Sequence, residues 1–418
     1  MGGVKMEWKE VDICQLCDSV SETYKGNASE VVLINTSDVL DGKCLNHEYV
    51  PNKKLKGQFK KTFRKGDILY SEIRPANKRF CFVDFEPKDY IASTKLMVLR
   101  AHEDVDPQYL YQILRSNDTL TQLQMLAESR SGTFPQITYS EFSNIMVSLP
   151  SQKAQKNIVS ILSSLDRKIE LNNKINADLE EMAQTIFKNW FVDFEPFKDG
   201  KFVESELGMI PEGWKVISLN EILDNVSGYS YKGSELQSSN IAMATIKNFE
   251  RKGGFKTEGY KEIVISKKIK ETQFVDMFDV LVAHTDLTQN AEIVGNPAIV
   301  LSKGGYEKLI MSMDLTKVIS KIDGITNGLL YCILSTSRFK EHALGYVNGT
   351  TVLHMSKKAV PEYTCAFPKD INQIRDLCIT LDSIYKRMAV TYEESSRLSH
   401  LRDTLLPKLM SGDLEVSE

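Results

Sequence analysis

Two stretches of the chain carry the same long apolar stripe. From Gln152 to Trp190, apolar residues recur at Leu162, Leu165, Ile169, Leu179, Met182 and Ile186, the spacing of one helix face, with no proline or glycine in the run. A second stretch repeats the phase at Leu381, Ile384, Met388, Leu398, Leu401 and Leu405, and Pro407 and Gly412 supply stop signals at its end. Both seams are broken at matching heights, by Asn172 and Asn176 in the first and by Thr391 and Ser395 in the second. Polar residues in such a seam cost stability but fix register and partner. Because both stripes are narrow and long, the two helices are expected to pair with each other rather than to pack separately on globular neighbours. Each would extend about 58 Å at about 1.5 Å per residue, a spacer rather than a core element.

The remaining segments have shorter periods. VVLINTSDVL, KLMVLRA and AEIVGNPAIV read as strands between turn residues, and Tyr109 to Glu128 as one amphipathic helix, so each globular part is mixed α/β. KDGKFVESELGMIPEG and FPKDINQ, rich in glycine, proline and charge, read as connectors. The globular parts also resemble each other. Trp8-Lys9 matches Trp214-Lys215, Gly66-Asp67-Ile68-Leu69 matches Phe278-Asp279-Val280-Leu281, Leu110-Tyr111-Gln112-Ile113-Leu114 matches Leu330-Tyr331-Cys332-Ile333-Leu334, and Ser131-Gly132-Thr133 matches Asn348-Gly349-Thr350. The order is conserved at nearly one displacement, which marks an internal duplication. FVDFEP occurs at Phe82 and again at Phe191, but out of this register, and is set aside as coincidence.

A length of 418 residues suits two or three domains, and 42% hydrophobic with 26% charged residues fits a soluble globular protein. No apolar run reaches signal-peptide or membrane-span length, so a cytoplasmic location is expected. The seven cysteines are odd in number and irregularly spaced, which predicts reduced thiols. Cys14 and Cys17 form a lone C-x-x-C without the two further ligands zinc needs, and are expected to be small buried side chains. The net charge of -4 hides local basic stretches. One holds Lys53, Lys54, Lys56, Lys60, Lys61, Arg64 and Lys65 with no acid among them; the other runs from Lys247 through Arg251, Lys252 and Lys256 to Lys270, diluted by Glu250, Glu258 and Glu262.

Catalytic signatures do not assemble. There is no phosphate loop of the G-x-x-x-x-G-K-[ST] type, and Asn296-Pro297-Ala298-Ile299 lacks the second proline and the stacking ring of an adenine-methylating element. Asp84 and Glu86, two apart, read as an exposed strand face rather than a metal pair, and the six histidines are scattered. No catalytic and no metal-ligating residues are assigned.

The order globular part, helix, globular part, helix resembles the specificity subunits of type I restriction-modification systems over essentially the whole chain. Ser131-Gly132-Thr133 leading to Leu149-Pro150 and the Gln152 helix is similar to that family's first domain boundary. Asn189-Trp190-Phe191-Val192-Asp193-Phe194-Glu195-Pro196, with Glu206-Leu207-Gly208-Met209-Ile210-Pro211-Glu212-Gly213-Trp214, resembles its central conserved region, and Leu406-Pro407-Lys408-Leu409-Met410-Ser411-Gly412 its C-terminal end. The second boundary, Phe367-Pro368-Lys369-Asp370, is less regular than the family's proline-rich string. The resemblance implies target-recognition domains over 1-150 and 206-370, a central conserved helix over 151-205 and a C-terminal one over 371-418. It further implies that each domain reads one half of a split, asymmetric double-stranded DNA site, with the antiparallel helices between them. Two modification subunits, carrying S-adenosylmethionine-dependent adenine methylation, would bind the helices, and translocating restriction subunits would join for cleavage in phage defence. This chain would bind no cofactor and catalyse nothing.

Within that frame the basic residues Lys53 to Lys65 and the stretch from Lys247, Arg251, Lys252 and Lys256 on to Lys270 are candidates for phosphate contact, which gives salt-dependent affinity without sequence information. Base edges call for side chains that donate and accept in pairs. The candidates are Arg74, Asn77 and Arg79 after the DILYSEIRP strand with Ser131, Thr133 and Gln136. In the second half they are His284, Thr285, Thr288, Gln289 and Asn290 with Thr350, Thr351 and His354. The competing readings are a coiled-coil scaffold that binds proteins but not DNA, and a single-chain enzyme, which the missing motifs disfavour.

Overall fold

The computed structural model describes residues 8–53, 57–129, 135–251, 253–288 and 290–414. It divides into two compact units, Met1–Lys168 with Leu398–Glu418, and Ile169–Arg397. The boundaries cut both long helices, so each unit contains part of each.

Both units are built on one mixed α/β plan, and the duplication is visible strand by strand. In the first, a mixed sheet runs Val50–Pro51, Glu30–Ile34, Tyr90–Ser93, Phe59–Lys61, its central pair parallel. In the second, Lys261–Glu262, Ile241–Ala244, Lys308–Met311 and Phe274–Val275 take the same places, again with a parallel central pair. The antiparallel sheets match too: Cys17–Val20, Leu96–Ala101, Ile68–Ser71, Phe80–Phe82 in one, and Leu223–Ser227, Leu315–Ser320, Val280–Ala283, Pro297–Ile299 in the other. Two-stranded ribbons, Lys9–Asp12 with Met146–Leu149 and Trp214–Ser218 with Thr364–Pro368, close each plan.

Period-two alternation explains the layers in the first unit. Leu69, Cys81 and Val98 of the antiparallel sheet face Val32, Ile34 and Ala92 of the mixed sheet. Their neighbours Ile68, Tyr70, Phe80, Met97 and Leu99 point the other way, into a helical layer with Leu110 and Leu114. The expected helix from Tyr109 to Glu128 is two helices, Pro107–Arg115 and Asn117–Glu128. Ser116 between them is extended, and its hydroxyl caps the second helix by accepting from the Thr119 amide at 3.2 Å. The connector KDGKFVESELGMIPEG holds a hairpin, Phe202–Ser205 with Gly208–Pro211. In the AEIVGNPAIV run only Pro297–Ile299 is strand. Cys17 is buried as expected, but Cys14 is exposed.

The long helices span Gln152–Phe191 and Arg375–Ser411. They run antiparallel: Asp166 meets Arg402 at 2.9 Å in the first unit, and Asn172 donates to Glu394 at 2.9 Å in the second. Leu162 is fully buried with Leu406 and Leu409, while Leu405 packs at the edge of that cluster. Leu381, Ile384 and Met388 are buried, with Leu179 and Ile186 packed against their cluster. Leu165, Ile169 and Leu398 are partly buried. Met182 and Leu401 are off the seam, exposed at 51% and 45%. Their neighbours Ala183 and Arg402 take the inward positions, because beyond Leu179 the buried face drifts to Ala183 and Phe187. Pro407 lies inside the second helix, which stops only at Gly412, a left-handed residue with φ of 79°.

Each unit ties the helix pair to its globular part with a different junction. In the first, the Asp166 carboxylate bridges Arg402 and, at 2.8 Å, Arg115 of the short helix. In the second, Glu180 accepts from Gln184 at 2.9 Å and from the Tyr385 hydroxyl at 3.5 Å, and burial raises its pKa against the pull of those donors. Between these junctions sits the polar layer. Asn172 and Thr391 are buried, and the Asn172 Oδ1, Asn176 Oδ1 and Ser395 Oγ atoms find no hydrogen-bond partner among the described residues.

Two stability predictions follow from the helix pair. Replacing Asn172 and Asn176 together by leucine removes two unpaired buried carbonyl oxygens, each costing about 1 to 3 kcal/mol, and should raise the thermal midpoint by a few degrees. Light scattering should then show more than one species, because the register signal is gone. For Glu180 the raised folded pKa means that the buried charge costs stability above that pKa and costs nothing below the unfolded value of about 4.3. Glu180→Gln should therefore melt higher than wild type at pH 7, with the advantage shrinking as pH falls toward about 4.

Candidate nucleic-acid interface

The buried strand Ile68–Ser71 delivers the chain to one edge of the first unit. There the Glu72 amide donates to the Lys95 carbonyl at 3.1 Å, the Ile137 amide to Glu72 at 2.9 Å and the Arg74 amide to Pro135 at 3.1 Å. These bonds bridge Ile73 to Gln136, so Arg74 and Gln136, far apart in sequence, lie side by side. Arg74 is exposed, with φ of 47°. It opens the short turn Pro75–Asn77, which Gln124 holds by accepting from the Ala76 amide at 3.0 Å, leaving Asn77 exposed. Arg79 is committed elsewhere, its Nη1 donating to the Ser37 carbonyl at 3.1 Å. Ser131 and Thr133 lie outside the described residues.

Of the first basic stretch, Lys61 reaches the same edge. Lys61 donates from Nζ to the Leu96 carbonyl at 2.8 Å, and burial lowers its pKa while Glu72 partly restores it. Lys61 is therefore a tie between strand and turn. Lys53, Lys60, Arg64 and Lys65 are exposed, and Lys54 and Lys56 lie outside the described residues.

In the second unit the corresponding strand, Val280–Ala283, runs on through His284 into Thr285–Asp286. This extension pairs with Leu353–Met355, which in turn pairs with Val347–Asn348. Thr285 stands opposite His354, so the two candidate segments meet on a three-stranded sheet, as Arg74 and Gln136 meet in the first unit. The hairpin needs its glycine: Gly349 has φ of 117°, and a Cβ there would lie 2.2 Å from the Val352 carbonyl oxygen. Thr350, Thr351, His354 and Asn290 are exposed; Gln289 lies outside the described residues.

His284 and Thr285 are buried, contrary to a role at the surface. Burial, helped by Lys357, pulls the His284 pKa down to about 4, so the ring is neutral near pH 7. Its Nε2 has no partner among the described residues. Thr288 is partly buried and donates to Asp286 at 2.7 Å. The second basic stretch is split by the fold. Lys247, Arg251 and Lys256 precede Lys261–Glu262, with Lys247 exposed, Arg251 paired to Glu292 at 3.2 Å and Lys256 near Glu250 at 4.0 Å. Lys252 lies outside the described residues. The topological counterpart of the first unit's basic strand is Phe274–Val275, preceded by the exposed Lys267, Lys268 and Lys270.

Sequence reading missed Asp286, Lys340 and Asn296, which build the loop after Asp286. The one local signal was Asp286 two residues before Thr288, an Asx-turn spacing. Among the described residues, no cluster of three or more His, Cys, Asp or Glu side chains is placed to hold a metal, and no helix is long and apolar enough to cross a membrane.

Comparison with known proteins adds a family. Residues 6–181 match the type I restriction modification DNA specificity domain. The HindI type I restriction enzyme specificity subunit of Haemophilus influenzae is 32% identical over 98% of this chain and 100% of its own. The MjaIX specificity subunit of Methanocaldococcus jannaschii is 26% identical over 89% of this chain and 85% of its own. The crystal structure of a type I restriction-modification S subunit from M. genitalium shares the fold, with a TM-score of 0.57 at 15% identity over 97% of both chains. The chain belongs to the specificity subunits of type I restriction-modification systems, the non-catalytic subunits of those enzymes.

Proposed function

We propose that this chain reads a bipartite, asymmetric double-stranded DNA site, one half-site per unit, and that its long helices recruit two modification subunits and, for cleavage, restriction subunits. The observation that carries the reading is the repeated edge. In both units, the segment leaving the same strand of the antiparallel sheet is paired with the glycine-containing segment ahead of the ribbon strand. Backbone bonds hold the two together, so side chains there vary freely, as two different half-sites require. Exposed Lys60, Arg64 and Lys65 of the first unit supply phosphate contacts.

Partner recruitment is supported by apolar side chains that repeat on the outer faces of the helices. Leu171 and Val390 occupy equivalent positions and are 51% and 61% exposed, and Met182 and Leu401 form a second equivalent pair. Two like faces suit two copies of one partner. S-adenosylmethionine would sit in the modification subunits, with no cofactor on this chain, and the complex would work in the cytoplasm.

Mapping methylated adenines in a genome expressing the chain with its modification subunit should return one split motif. Exchanging residues 206–370 for another recognition domain should change one half of that motif and leave the other. If both halves persisted, the two-reader assignment would fail; partner association without any DNA binding would leave a protein scaffold. Replacing Lys60, Arg64 and Lys65 by alanine should weaken binding to every sequence alike, lowering the slope of log K against log salt by about 0.9 per lost contact. An unchanged slope would remove them from the interface.

A further inference from the structure

The most exposed large apolar side chain among the described residues, Leu287 at 68%, stands on a surface loop of the second unit that buried polar groups fix. Just before it, Asp286 is completely buried and gathers donors from across the loop. Its Oδ1 accepts from the Thr288 amide and hydroxyl, both at 2.7 Å, and its Oδ2 from the amides of Ile293 at 2.5 Å and Val294 at 3.1 Å. Burial opposes ionisation of Asp286, but these donors outweigh it and hold the carboxyl below its usual range.

Lys340 secures the opposite polarity. Its Nζ donates to the carbonyls of Ala291 at 3.0 Å and Val294 at 2.6 Å and to Asn296 Oδ1 at 2.7 Å. Asn296 passes the restraint on, donating to the Glu292 carbonyl at 2.9 Å. Burying a carboxylate and partly burying an ammonium to shape a solvent-facing loop is a costly route to stability alone. At the same point in the first unit, a tight Pro75–Asn77 turn suffices. What the frame achieves is to fix Leu287, which would otherwise gain entropy by moving and lose nothing in packing.

We propose that Leu287 reads a thymine methyl group in the half-site recognised by the second unit, and that Asp286 and Lys340 are the positioning residues that pre-organise it. This rests on the DNA-reading function proposed above. The surroundings suit a groove edge: Leu353 pairs with Asp286 on the ladder, and the Thr350–Thr351 tip belongs to the same hairpin. An apolar side chain among hydroxyls discriminates thymine through its methyl, a contact that carries no charge and no salt dependence.

The test uses the full chain assembled with its modification subunit and duplexes in which each thymine of the second half-site is replaced in turn by deoxyuridine, which lacks only that methyl. Wild type should lose about fourfold in binding at one position, the size of one buried methyl group. Leu287→Ala should bind the thymine and deoxyuridine duplexes equally at that position while keeping its preferences in the first half-site. Asp286→Asn and Lys340→Met should relax the same position without altering the salt slope; Leu287→Ala, a surface change, keeps the test alive if either buried variant misfolds. If exchange of residues 206–370 changes the half-site but wild type is indifferent to deoxyuridine throughout it, or the half-site holds no thymine, this assignment is overturned and the two-reader function stands. If that exchange changes nothing, the function itself is overturned.

Discussion

Everything in this molecule depends on the antiparallel register of two helices that lie far apart in sequence. The first unit's core contains Ile158, Val159 and Leu162 from one helix and Leu406 and Leu409 from the other. The second unit's core takes Ala183, Phe187 and Phe191 from the first and Leu377, Leu381 and Tyr385 from the second. Neither sequence repeat closes its own core. A slip of one heptad would draw the Asp166 carboxylate away from Arg402, whose side chain is 18% exposed, and leave that guanidinium only Asp403 of its own helix as counter-ion. Register is thus set by charge near one junction, by a hydrogen-bonded glutamate near the other and by the Asn172 layer between them, with apolar burial supplying the bulk of the free energy.

The two units show which parts of the duplication could drift. Their sheets keep the same order and the same single parallel pair, because each central strand is hydrogen-bonded on both sides and buried on both faces. Junctions and loops diverged. An ionic triad at Asp166 stands where the other unit uses Glu180 with tyrosines, and a short turn at Pro75 stands where the other has a long loop framed by Asp286 and Lys340.

Long-period features were legible in the sequence and short-range ones were not. The helix Gln152–Phe191 was readable nearly to the residue because forty positions with no glycine or proline leave little else to form. The misplacement of Met182 and Leu401 has one cause: a straight helix drifts against a seven-residue repeat, so a seam extrapolated from Leu162 rotates off the buried face by Met182. Pro407 read as a stop, but it sits in the last turns of the helix, where the tertiary contacts of Leu406 and Leu409 override the lost hydrogen bond. The break at Ser116 turned on one capping hydroxyl, too local for periodicity to register.

The candidate interface was legible as location and not as side chains, for a reason built into its construction. What joins Arg74 to Gln136 and Thr285 to His354 is backbone pairing, which any residue but proline can make, so sequence similarity can mark the meeting point while saying nothing about which side chains face outward. Facing is not settled by simple alternation along the ladder, since His284, Thr285 and Asp286 are buried in succession while His354, opposite Thr285, is exposed. The residues with most influence on the surface are then the buried ones that no polarity count would select, as Asp286 illustrates: its carboxylate touches no solvent, yet four of its hydrogen bonds determine how Leu287 and its neighbours are presented. A surface built this way can exchange its exposed side chains without disturbing its sheet, and can exchange its loop only together with the buried groups that frame it.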